Sequence, residues 1–237
     1  MSIHPARSRK QIMNQAFFLF IIFTLSGCGA TTPAISVKPS WDNNTRIVGI
    51  ISTNIPPASA YKNDKYNQLS PSVNSQPNDL EQHLQNLQPP DITSITDKIS
   101  RYLKSKGMHV KRLSSHQVLQ QLRKMDAKAG NGSKADYRPL KLIHGIDKLI
   151  VIRVEHIGSI RPYYGFVPLA EPKGFSHLSG YMINLDNNQH EWKHSVMQQV
   201  ECTPAAADPA AEFAGLKKAV HMAFDQSKNS LFEHFSQ

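Results

Sequence analysis

The 237-residue sequence predicts an α/β fold, a mixed sheet with helices packed on it. Three observations carry that prediction. Short β-branched apolar runs recur, at residues 46–53 and 148–157 above all. Between them lie segments whose apolar residues step by three or four, as one face of a helix requires. The two kinds of segment alternate along the chain rather than separating into blocks, which favours one sheet covered by helices. The expected order is β-α-β-α-β-β-β-α.

The first strand is Arg46-Ile-Val-Gly-Ile-Ile-Ser-Thr53, apolar without alternation and therefore buried on both faces. Residues 55–90 follow as a polar insertion rich in Pro, Asn, Gln and Ser. A loop of that length inside a domain is uncommon and is usually functional or disordered. Within it, residues 78–87 place Leu80, Leu84 and Leu87 on one face of a short helix. The first strong helix starts after Pro89-Pro90, with Asp91 as N-cap. Ile92, Ile95, Ile99 and Leu103 form its apolar face, and Gly107 ends it. A brief strand at 108–113 follows. Ser114 or Ser115 then caps a second helix with Val118, Leu119, Leu122 and Met125 inward. Residues 139–144 make one helical turn stopped by Gly145.

Residues 148–157 are the clearest strand, apolar on both faces at its start and so central. Residues 176–184 and 191–200 are two further strands. Asp186-Asn187-Asn188 between them tolerates left-handed backbone, so they pair as an antiparallel hairpin. The last helix has Asp208 as cap and Pro209 in its first turn. Phe213, Leu216, Val220, Phe224, Ser227 and Leu231 face the sheet.

Ahead of these elements the chain opens with Arg7, Arg9 and Lys10 and no acidic residue, then an apolar run over residues 16–25. That run is too short to span a bilayer, which takes about 20 residues, and has the length and flanks of a secretory signal. It ends in Leu25-Ser26-Gly27-Cys28, which resembles the lipobox of bacterial lipoproteins. The resemblance implies cleavage before Cys28 and diacylglycerol on its thiol. Gly29 stands where an Asp favours inner-membrane retention, so the outer membrane, on its periplasmic side, is the expected location. Residues 1–27 are thus the expected signal peptide, 28–45 a tether and 46–237 a single domain.

The signal carries three basic residues and no acidic ones, so the mature chain has 24 basic against 18 acidic residues, net +6. An exported lipoprotein meets little nucleic acid, and none is expected as a partner. With Cys28 acylated, Cys202 has no partner for an intramolecular disulfide and reads as a small buried apolar residue.

The early strand Ile47-Val48-Gly49-Ile50, the helix ending at Gly107, the segment Gly145-Ile146-Asp147-Lys148-Leu149-Ile150-Val151-Ile152 and the Trp192 strand resemble envelope lipoproteins. These are the curli-secretion-channel lipoproteins and the lipoprotein activators of penicillin-binding proteins. The resemblance spans residues 46–235 as a pattern of elements. It implies a related α/β domain, and it carries over no functional residue.

His190-Glu191-Trp192-Lys193-His194 fits H-E-x-x-H, a zinc-protease motif when helical. Here it follows a hairpin turn and reads as strand. Residues four apart on a strand share a face but lie about 13 Å apart. His190 and His194 would then be surface or edge residues, Glu191 would point to the other face, and Trp192 would pack on the sheet. A zinc hydrolase remains the alternative to a non-enzymatic reading, and a cell-wall-polymer or small-ligand binder a third. No cofactor is expected. His156 alternates with Val154 and Ile152 and reads as a satisfied core histidine.

Residues 160–169 contain Arg161, Tyr163, Tyr164 and Phe166, residue types enriched at binding hot spots. Two prolines and a glycine make the segment poor as a central strand. Either it contacts a protein partner or another subunit, or its aromatics fold back as core. The expected function is a lipid-anchored envelope protein that binds or assembles with other envelope proteins.

Overall fold

A computed structural model describes residues 39, 41, 46–63, 69–71, 79–118, 120, 136–164, 167–202 and 214–237. The chain divides at residues 34 and 35, and all the described residues belong to the second unit. The signal segment with its lipobox, Phe166, the inward positions Leu119, Leu122 and Met125, and Asp208, Pro209 and Phe213 lie outside the described residues.

The fold is α/β. Eight strands form one mixed sheet: β1 (Ile47–Ser52), β2 (Ser59–Asn63), β3 (Leu69–Pro71), β4 (His109–Arg112), β5 (Lys148–Tyr164), β6 (Val167–Pro168), β7 (Lys173–Asn184) and β8 (Gln189–Glu201). The helices are α1 (Asp79–Gln85), α2 (Thr93–Ser105), α3 (Pro139–His144) and α4 (Ala214–Ser236).

β5 is the axis, as its doubly apolar start requires. One edge carries β7 antiparallel along nearly its whole length, and β8 pairs with β7 beyond it. The other edge is shared. β1 runs parallel to residues 148–152, and β2 runs parallel to residues 158–162. β1 leaves the ladder at Thr53, whose N–H still donates to the Ile152 carbonyl at 2.9 Å, and β2 rejoins it at Ser59. The two are one interrupted strand. Gly158 is the contact point: its φ is +141°, and a Cβ there would lie 2.0 Å from the Ser59 carbonyl oxygen.

Two expectations need correction here. The 55–90 insertion holds β2, β3 and α1 rather than one short helix alone. The central strand ends at Tyr164 rather than at residue 157, so its second half offers β2 an edge to pair with.

The helix face of the sheet holds the larger core. Ile50, Ile150, Ile152, Leu178, Met182 and Trp192 meet Leu80 and Leu84 of α1, Ile95, Ile99 and Leu103 of α2, and Leu216, Val220, Phe224, Leu231 and Phe235 of α4. The opposite face has a smaller core, where Leu149, Val151 and Ile183 meet Leu140 of α3, Ile146 and Val118. Val118 closes a helical turn at 115–118, its N–H donating to the Ser114 carbonyl.

Local chemistry explains the helix ends. The N-cap of α2 is Ile92 rather than the expected Asp91. The Asp91 carboxylate, one residue earlier, accepts from the Thr93 N–H at 2.8 Å and the Thr93 hydroxyl at 2.7 Å, which satisfies a first-turn donor and lowers the Asp91 pKa. Gly107 adopts φ +82° as the Gly107 and Met108 N–H groups bond back to Lys104 and Leu103. Gly145 stops α3 at φ +58°. α4 lies close on β7 because Gly174 has no Cβ; one there would sit 2.2 Å from the Ala219 backbone.

Candidate functional site

The H-E-x-x-H segment lies on β8, as its context predicts. The register adds what the motif does not show. Met182 faces Trp192 and Ile183 faces His190, so Glu191 is the extra residue of a β-bulge. The bulge shifts the alternation of side chains by one. His190 stacks on Tyr181 on the face away from the large helices, with ring centroids 5.1 Å apart. His194 turns to the helix face and meets His234 of α4, centroids 3.7 Å apart. The two imidazoles therefore point to opposite faces, which corrects the expectation of a shared face and removes the geometry that one zinc ion needs.

Glu191 also departs from its expected position: it shares the helix face with Trp192. Its carboxylate pairs with the Lys148 ammonium at 2.7 Å and accepts from the Asn184 side-chain amide at 2.8 Å. Trp192 is fully buried and packs edge-on against Phe235, centroids 5.3 Å apart. The segment is structural at each of these positions. Among the described residues no cluster of three His, Cys, Asp or Glu side chains is placed to hold a metal ion.

The 160–169 segment is the end of a hairpin rather than a loop. β5 runs through Pro162 to Tyr164, and β6 returns with Tyr163 opposite Pro168 and Tyr164 opposite Val167. Proline costs one donor here, but the Pro162 carbonyl still accepts the Leu169 N–H at 3.0 Å. Arg161 braces the same turn: its Nε donates to the Ala170 carbonyl at 2.5 Å. Tyr163 lies under the Lys62 ammonium, 5.1 Å from ring centroid to Nζ. Tyr164 is 79% exposed, and Val167 and Leu169 are each 63% exposed. Of the four candidate residues, Arg161 and Tyr163 hold the hairpin and Tyr164 presents itself to solvent. Val167 and Leu169 join Tyr164, and sequence reasoning passed over them because isolated aliphatic residues beside prolines carry no signal of their own.

A polar patch occupies the sheet face opposite α4. His156 stands between Tyr61 at 5.0 Å and His177 at 5.6 Å, centroid to centroid. It is half-buried at a patch edge rather than in the core. His177 Nε2 is 2.6 Å from the Ser195 hydroxyl, and the Ser179 hydroxyl donates to Glu155 at 2.6 Å. Burial lowers the His177 pKa, and the neighbouring His156 adds to the effect. His194 is lowered likewise, by burial first and by His234 second. Burial pushes the Cys202 thiol up, which keeps it a poor nucleophile.

These two histidines give a pH prediction. Their native pKa values lie below the unfolded value of about 6.5, so the unfolded chain binds protons first as pH falls. The stability they contribute is present above pH ~6.5 and is lost as pH drops through their native values. Urea midpoints should therefore fall between pH 7.5 and pH 5. In His194→Gln the fall should be shallower than in the wild type; an equal fall would assign the pH response elsewhere.

No family model matches this chain, and no curated protein does. Among solved structures, the fold is similar to a hypothetical protein from Chlamydia trachomatis at 8% identity and TM-score 0.40, over 80% of this chain and 94% of that one. It is similar to the lipoprotein GNA1162 from Neisseria meningitidis at 12% identity and TM-score 0.31, over 77% and 99%. A third likeness is to the PelC dodecamer from Paraburkholderia phytofirmans at 8% identity and TM-score 0.34, over 86% and 94%.

Proposed function

We propose that this protein is a non-enzymatic envelope lipoprotein, anchored by acylated Cys28, whose α/β domain binds another envelope protein through the tip of the β5–β6 hairpin. The exposed cluster of Tyr164, Val167 and Leu169 on a braced turn carries the reading. Large apolar side chains grouped on a short turn lose solvation energy in water and recover it against a partner. A turn already held by Arg161 and by the Pro162–Leu169 hydrogen bond loses little conformational entropy on binding.

The anchor rests on Leu25-Ser26-Gly27-Cys28. Among the described residues no helix is long and apolar enough to cross a membrane. Residues 28–45 would serve as the tether and 46–237 as the domain it carries. Lipid attachment keeps the domain near one bilayer, which raises its effective concentration for a neighbouring protein. Gly29, in place of an Asp, favours the outer membrane as that bilayer, and we place the domain on its periplasmic side.

The test uses the full chain in its own membranes. A clickable fatty acid should label the wild type and leave Cys28→Ala unlabelled. Tyr164→Ala with Leu169→Ala should leave stability within about 0.5 kcal/mol, as for exposed substitutions. The same pair should lower recovery of the wild-type partner by about tenfold or more, as hot-spot truncation does. Full partner recovery with the tip variant would sink the binding reading, and an unlabelled wild type would sink the anchor.

A further inference from the structure

β8 pairs with β7 alone, so its other edge has no strand beside it among the described residues. Free edges of this length invite pairing with another chain and are usually blunted by bulges and charges. The one bulge here lies at one end, at Glu191. From Trp192 to Glu201 the register against β7 is unbroken.

That regular stretch has a symmetry of its own. On the sheet face opposite α4 it presents Lys193, Ser195, Met197, Gln199 and Glu201 in alternation, all exposed. Met197 at the centre is 58% exposed, an apolar side chain among polar neighbours. Lys193 stands four residues before Met197 and Glu201 four after. If a second β8 runs antiparallel with Met197 opposite Met197, Lys193 of each copy faces Glu201 of the other, and Ser195 faces Gln199. Lys193 has no ion-pair partner among the described residues. Glu201 is bound on one oxygen by Lys173 of its own chain at 2.6 Å, and its side chain is 75% exposed.

We infer that two copies of this chain pair through their β8 edges, antiparallel and centred on Met197, which joins two sheets into one. On the face opposite α4 that register is favourable. The two methionines bury each other, two opposite-charge pairs flank them, and the backbone N–H and C=O groups of both edges find partners. A parallel pairing would set Lys193 against Lys193 and Glu201 against Glu201.

Cross-linking in membranes containing the full chain tests the register, in a Cys202→Ser background that by itself should give no dimer. Met197→Cys places two thiols across the two-fold axis and should cross-link on mild oxidation or with a short bis-maleimide. Ser195→Cys and Gln199→Cys each place their thiols about 13 Å from their own copies along the strands, and each should give about tenfold less dimer. Lys193→Glu and Glu201→Lys should each lower the Met197→Cys dimer by roughly tenfold, because like charges then face each other. Co-expression of the two should restore it, since each supplies the charge the other lost, and that recovery separates register from misfolding. Equal dimer from the three cysteine positions, or charge variants without effect, would overturn the inference. Tyr164→Ala should leave the cross-link intact, so the hairpin-tip reading and this one fail independently.

Discussion

Glu191→Ala is expected to cost about 3–5 kcal/mol of stability, the range for removing one member of a buried ion pair. The Lys148 side chain is 3% exposed and that of Glu191 20% exposed, with 2.7 Å between Nζ and Oε2. Without the carboxylate, the Lys148 ammonium stays in a largely apolar setting at the start of β5, with the Trp41 ring 5.9 Å away. The Asn184 amide loses an acceptor as well. Because water reaches Glu191 in part, the lower end of the range is expected. The companion variant decides the interpretation. Lys148→Met with Glu191→Leu removes both charges and both desolvation costs, and should recover most of the loss. Denaturant unfolding of the two variants checks this. A Glu191→Ala protein within 1 kcal/mol of wild type, or a double variant no better than the single, would show that the pair is not what holds the β8 bulge.

The same pair shows what the sequence made legible and what it did not. The turn residues before position 190 marked the H-E-x-x-H segment as strand, and that much follows from local chemistry. The bulge does not, because nothing in Gln189-His190-Glu191-Trp192 marks an extra residue. A non-local clue was present: Lys148 opens an apolar strand, and a buried lysine needs a carboxylate. The motif's glutamate was the available one. β1, α2, the β7–β8 hairpin and the buried face of α4 were legible because each is set by periodicity or by a cap within a dozen residues. β2 and β3 were not. They are short and lie among polar residues, and β2 depends on residues 158–162 of β5, about a hundred positions away, which present an edge for it to join. The aromatic content of residues 160–169 pointed to the hairpin tip. Which residues brace it and which face outward depended on the return strand β6, too short for a sequence pattern to register.

Gly158→Ala should be comparably damaging, by about 3 kcal/mol or more, through a different route. Two penalties coincide at this position. At φ +141° an L side chain is strained, typically by ~1–3 kcal/mol. A Cβ would also lie 2.0 Å from the Ser59 carbonyl oxygen and 2.6 Å from its nitrogen, inside van der Waals contact with backbone that cannot rotate away. Overpacking of this kind adds about 1–3 kcal/mol. β5 cannot yield, since β7 holds its other edge, so β2 must move and β3 with it. The loss should be local as well as global: amides of residues 59–63 should exchange much faster, while those of β1 and of residues 148–152 keep their protection. Function follows the same path. Lys62 of β2 covers Tyr163, so freeing β2 loosens the support of the hairpin that presents Tyr164. Partner recovery should therefore fall in Gly158→Ala although no residue of the tip has changed. If exchange at 59–63 accelerates and recovery holds, the tip stands on the Arg161–Ala170 and Pro162–Leu169 contacts alone. If neither changes, the close approach of β2 to β5 at Gly158 is not the contact on which this edge of the sheet depends.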